Sequence, residues 1–350
     1  MSDNSSIEWT DASWPVTVGC DHISAGCDNC YAATLTSGRL KHLPEYAGLA
    51  EHGKFNGTVR CLPERLDWPS KWRKPRRIFV CSMSDLFHQS VPDEFIAKVF
   101  AAMASAPRHT FQVLTKRHDR MRSLVGSDEF RKSVQRRIPY APPDDPYLHR
   151  HSREWPLPNV WLGVSAEDQK WAEIRVHALL QTPAAERWVS AEPLLGPIDF
   201  RNLKARNGAL IDALCGDVKS PDGTIYAACP GSVTGVVAGG ESGAGARPMH
   251  PDWARSLRDQ CQDARIPFLF KQWGTHAPWA PEDYSEPKGA TVVYPDGGTG
   301  WVAGDEDHLT NWSRGLPSGW AFATRMSKKL AGRELDGRTW DEYPRVWAAA

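Results

Sequence analysis

No run of about eighteen consecutive apolar residues, the length a helix needs to cross a bilayer, occurs in this chain, so no membrane association is expected. The start, Met1 to Trp9, lacks the basic and apolar regions of a signal peptide, and a cytoplasmic location is expected. Lys and Arg number 42 and Asp and Glu 42, which leaves no net charge to draw in nucleic acid from a distance. Eight cysteines spread over 350 residues do not make a disulfide framework. Internal repeats and low-complexity tracts are missing too. What remains is a globular composition, 41% hydrophobic and 24% charged, on a chain long enough to bury a substantial core.

Short apolar runs recur, each followed by polar or glycine-rich residues and then by a stretch of helical period. They predict strands at 16–19, 77–82, 110–115, 160–165, 187–191, 235–238 and 267–271. Helices are expected at 94–105, with Asp93 as cap, and at 116–125, 169–180 and 251–264. Continuous apolar strands alternating with helices imply an α/β fold with a parallel sheet, a full or partial TIM-type (βα) barrel. The proline-rich segment 127–158 and the glycine- and aspartate-rich segment 201–232 read as rim insertions. Residues 1–273 would form the barrel. Residues 274–350, with a hairpin at 291–301 and a last helix from 327, read as a C-terminal extension that packs on it.

Three of the cysteines are close together. Cys20, Cys27 and Cys30 lie in the run Cys20-Asp-His-Ile-Ser-Ala-Gly-Cys27-Asp-Asn-Cys30. Three thiolates at this spacing can hold three corners of an iron–sulfur cluster and leave one iron open. Zinc is the alternative, with His22 as fourth ligand, although His22 is two residues from Cys20 and structural zinc sites usually pair their ligands on both sides. A core role or a disulfide is the plainer reading. Cys61, Cys81, Cys215, Cys229 and Cys261 lack paired spacing and are expected to be structural.

In parallel α/β folds the ligand sits at the C-terminal strand ends. The expected ends carry Ser82, Ser84 and Asp85; Thr115 and Lys116; Ser165 and Glu167; Glu192; and Gly239, Gly240 and Glu241 with Arg247 beyond. Singly, these could be helix caps or tight turns. Together they offer acceptors for an ammonium or ribose, cations for a carboxylate, and close main chain for a ligand such as S-adenosylmethionine. Glu167, Glu192 and Glu241 could equally be acid or base in a polar-metabolite enzyme without radical chemistry. The basic runs Lys71 to Arg77, Lys116 to Arg122 and Arg131 to Arg137 allow a polyanionic partner without requiring one.

Cys20-x6-Cys27-x2-Cys30-Tyr31-Ala32, with Ser82-Met-Ser-Asp-Leu-Phe-His88, Leu114-Thr-Lys-Arg117, Trp161-Leu-Gly-Val-Ser165, Glu192-Pro-Leu-Leu-Gly196, Gly239-Gly-Glu-Ser-Gly243 and Phe270-Lys-Gln-Trp-Gly274, resembles the phage-associated three-cysteine family of radical-SAM-like proteins. The resemblance implies a partial TIM-type barrel, a 4Fe-4S cluster on Cys20, Cys27 and Cys30, and S-adenosylmethionine on the open iron. It does not imply a known reaction; an electron donor protein is expected as a partner, and the basic middle segment together with the genome maintenance that a phage-associated family suggests favours a nucleic acid or nucleotide substrate, modified or repaired. Two departures stand out. The broader superfamily spaces its cysteines C-x3-C-x2-C, and the Gly-Gly-Glu that usually follows its second strand is replaced here by Ser82, Ser84 and Asp85. A noncatalytic zinc-binding interaction module is the reading from a different class.

Overall fold

The computed structural model describes residues 5, 7–138, 154–227, 231–278, 289–304 and 315–344. Its centre is a seven-stranded sheet: β1 Ala12–Trp14, β2 Arg77–Val80, β3 Thr110–Thr115, β4 Val160–Ser165, β5 Glu186–Ala191, β6 Gly235–Gly239 and β7 Phe268–Gln272. Each strand pairs in parallel with the next in chain order, from β1 to β7. A doubly wound sheet would reverse that order at a switch point. The monotonic order belongs to a curled half-barrel, open between β1 and β7.

Alternation along each strand sorts the side chains. Ile78, Val80, Phe111, Val113, Leu162, Val164, Val189, Val236, Phe268 and Phe270 belong to the large core shared with the helices. The helix α1 Tyr31–Ser37 packs in a separate cluster with Val18, Leu49 and Met83, and the helices that share the large core are α2 Asp93–Ala104, α3 His118–Val125, α4 Asp128–Gln135, α5 Gln169–Leu180 and α6 Pro251–Ala264. The intervening positions give a second cluster, Phe79, Trp161, Trp188 and Leu269, gathered around Trp9. The Trp9 ring lies 4.7 Å from Phe79 and 4.9 Å from Trp188. Gly163 faces Trp188 in the register, and a Cβ there would stand 2.5 Å from the indole. Both faces of the sheet are therefore dry, which is why the strands read as unbroken apolar runs.

The first strand departs from the sequence reading. Pro15, which has no N–H to give a ladder, separates Ala12–Trp14 from the more apolar Val16-Thr-Val18. Thr17–Val18 pairs antiparallel with Arg60–Cys61 instead, and Gly19 then returns to bridge Ser84 beyond the end of β2. Helix α2 begins at Asp93 with Pro92 as its cap residue, one place earlier than expected.

Within the segment 201–232, residues 203–227 form a four-stranded antiparallel meander, Leu203–Lys204, Leu210–Asp212, Asp217–Lys219 and Ile225–Ala227. It occupies the chain between β5 and β6, where a crossover helix would normally lie, and its first strand packs on α5. Within 127–158, α4 is capped by Ser127, whose hydroxyl accepts from Phe130 N at 3.2 Å. The proline-rich remainder at 139–153, like Cys229, lies outside the described residues. Beyond β7, the hairpin Gly289–Val293 and Thr299–Ala303 joins His276–Pro278 and Ala321–Arg325 in a second antiparallel sheet. The expected last helix is a single turn, Lys328–Ala331. The chain then runs along the free edge of β7, where Phe270 N donates to Trp340 O at 2.9 Å. Among the described residues no helix is long and apolar enough to cross a membrane.

Candidate metal centre

The cysteine loop leaves Gly19 beside the end of β2 and folds back through one 3-10 turn, Ala25–Cys27, closed by Cys27 N donating to Ser24 O at 2.7 Å. Cys30 is the cap residue of α1. This winding brings all three thiols, each partly exposed, to one cavity of about 380 Å3 at the C-terminal ends of the first four strands. Ser82, Ser84, Asp85, Thr115, Lys116 and Ser165 line the same cavity, above a floor that includes Phe79 and Leu114.

Asp85 organises one wall. It accepts from Thr115 Oγ1 at 2.7 Å, Phe87 N at 2.9 Å, Lys116 N at 3.0 Å and Arg117 Nη1 at 3.1 Å. Arg117 also pairs with Asp21, and its Nη1 stands 3.6 Å from Cys20 Sγ. Burial, and secondarily the Asp85 charge, push the Cys20 thiol up to about 12 against the pull of Arg117. Burial raises Cys30 as well. A cation that held either group as the thiolate, as metal ligation does, would offset that cost of burial. Ser84 is occupied by Thr17, Oγ to Oγ1 at 2.6 Å, and the Ser82 carbonyl accepts from Tyr31 Oη at 2.6 Å.

The remaining candidates stand outside the cavity lining. Glu167, fully buried, pairs with Arg175 at 2.8 Å. Glu241 binds Arg247 at 2.7 Å, and both pairs reach the cysteine loop. Glu192 lies 3.0 Å from Lys271 Nζ and accepts from Ser190 Oγ at 3.2 Å. Gly239 and Gly240 do provide a close main-chain approach, but its object is the chain itself. A Cβ on Gly240 would lie 2.0 Å from Trp273 O, and one on Gly239 would lie 2.8 Å from Glu192 Oε1.

Sequence reasoning assigned no role to Asp21, Tyr31, Arg117 or Arg175, although Tyr31 and Arg117 stand in the motifs quoted above. Arg117 follows Thr115-Lys116 directly and could have been found there. Arg175 could not: midway along a helix it reads as an ordinary surface cation, yet it is entirely buried, with its guanidinium 4.0 Å from the Trp171 ring centre.

Among the described residues no three His, Cys, Asp or Glu side chains are grouped to hold a single metal ion. His22 lines the cavity, but its Nε2 lies 2.7 Å from Asp28 Oδ1. Cys20, Cys27 and Cys30 present three thiols to this cavity and would be the ligands of an iron–sulfur cluster held there.

Fold and site together define a parallel (βα) half-barrel with a three-thiol cavity at its strand ends. The chain belongs to the family described as "Protein of unknown function (DUF5131)", which matches residues 4–344. No curated protein matches it. Among solved structures it is similar to a spore photoproduct lyase complexed with dinucleoside spore photoproduct. That similarity has a TM-score of 0.36 and 10% identity, and it covers 86% of this chain and 72% of the other. The likeness is too distant to bear on activity.

Proposed function

We propose that this protein is a radical-SAM-like iron–sulfur enzyme acting on a nucleic acid or nucleotide. The observation that carries the reading is the convergence of Cys20, Cys27 and Cys30 on one cavity with the polar ends of β2, β3 and β4. A 4Fe-4S cluster bound by these thiolates would supply the electron that cleaves S-adenosylmethionine to a 5′-deoxyadenosyl radical. The residues of the chain provide the setting. Asp85 fixes the main chain of 115–117 and holds Arg117 beside Cys20. Phe79 and Leu114 make the floor apolar, and the tryptophan cluster behind them keeps water from entering from below. Lys116, in no ion pair among the described residues, is available to a ligand carboxylate.

The substrate class rests on the cations at the cavity. Much of the basic segment is neutralised within the chain, as in Arg77 with Asp11, Arg120 with Asp93 and Arg122 with Asp119. Lys54, which lines the same cavity as Lys116, has no such partner among the described residues and suits a phosphate.

Anaerobic reconstitution with iron and sulfide, followed by reduction with S-adenosylmethionine present, tests the reading. A brown protein that releases 5′-deoxyadenosine is expected, with cluster and product both lost in Cys27→Ala and both kept in Cys215→Ala. A Cys27→Ala variant that keeps both would defeat it. Binding to DNA or RNA should weaken steeply with salt and weaken further in Lys54→Ala; absence of binding at low salt would remove the substrate class.

A further inference from the structure

We infer that the pairs Glu167–Arg175 and Glu241–Arg247 are positioning residues, two clamps from separate strand ends that hold the cysteine loop with its thiols toward the cavity. The inference rests on the reading of Cys20, Cys27 and Cys30 as cluster ligands.

The first clamp comes from the end of β4 and from α5. Arg175 Nη1 donates to Glu167 Oε2 at 2.8 Å and to Ser165 O at 2.9 Å, and its Nη2 reaches Ser24 Oγ at 2.9 Å. Gly26 N points at Glu167 Oε1, 3.4 Å away. The second clamp comes from beyond β6. Glu241 accepts from Asn29 Nδ2 at 3.0 Å and from Arg247 N at 2.8 Å, while Arg247 reaches Asp28 Oδ2 at 3.0 Å and Ala25 O at 2.8 Å. Asn29 Nδ2 also donates to Gly245 O at 2.8 Å. The contacts fall on Ser24, Ala25, Gly26, Asp28 and Asn29. These residues flank Cys27 on both sides and leave its thiol to the cavity.

None of the four clamp side chains lines that cavity. Neither Glu167 nor Arg175 has any exposed side-chain surface. Removing two charges from water is costly, and an apolar pair of similar volume is commonly as stable or more so. Fold stability alone therefore gives no reason for charges at this place. Holding a loop distant in sequence, through directional bonds to its main chain and hydroxyl, does.

The test uses the full-length, metal-free, reduced chain. Alkylation by iodoacetamide is followed at each cysteine by peptide mass spectrometry, with the exposed Cys215 as internal standard. In the double variant Glu167→Leu/Arg175→Met the thermal midpoint should equal or exceed that of the parent. Alkylation of Cys20, Cys27 and Cys30 relative to Cys215 should rise at least about tenfold, the factor that corresponds to about 1.4 kcal/mol of loop opening. Arg247→Ala should do the same without touching the core, and Arg247→Lys should restore part of the protection. Unchanged relative rates in both the double variant and Arg247→Ala would overturn the inference, and Arg247→Ala decides alone if the double variant does not fold. Failure of the cluster reading looks different, a parent chain that takes up no iron, because the alkylation rates are measured without metal.

Discussion

His109 shows how burial sets chemistry one residue at a time. Only 1% exposed, it sits just before β3 with Nε2 3.0 Å from the Pro69 carbonyl, which can only accept, so that nitrogen carries the proton. Burial, with the Arg108 charge second, lowers its pKa to about 4. An unfolded histidine titrates near about 6.5. The unfolded chain therefore takes up the proton first, and stability falls as pH drops from about 6.5 through 4, by about 3 kcal/mol in all. His109→Gln keeps an N–H for Pro69 and removes the titration, so its urea midpoint should decline less over that range; an equal decline in variant and parent would refute the assignment. The same directionality explains what could be read at the strand ends. Glu167, Glu241 and Arg247 were visible as polar residues at a functional rim. Their orientation was not, because it is decided by Ser24 to Asn29, far away in the chain.

At the scale of elements, β2 through β7 were legible because two dry faces leave an apolar signature that few other structures share. β1 was not, since its three residues carry less apolar signal than the Val16-Thr-Val18 run across Pro15. The meander between β5 and β6 was read as a rim insertion because its two- and three-residue strands are too short to show alternation. The edge of β7 gives a prediction. Its free side is covered by residues 340–342, with Trp340 and Leu335 in the core and Glu342 N donating to Phe268 O at 3.3 Å. Deleting residues 334–350 should expose that edge, lower the thermal midpoint and make the protein aggregate in light scattering. A monodisperse truncated chain of unchanged midpoint would show that the tail is not what protects β7.

The molecule as a whole is a half-barrel whose parts serve one rim. The apolar cluster fills the lower barrel, the helices carry the outer face, and two charged clamps secure the cysteine loop across the strand ends. The proposed function puts an iron–sulfur cluster on Cys20, Cys27 and Cys30 at that rim. The most direct measurement is the iron, sulfide and zinc content of the protein purified without oxygen. About four iron and four sulfide per chain, with absorbance near about 400 nm and loss of both in Cys20→Ala, Cys27→Ala or Cys30→Ala, is the predicted result. Stoichiometric zinc in a colourless protein, or full iron retained after any of those substitutions, would contradict it.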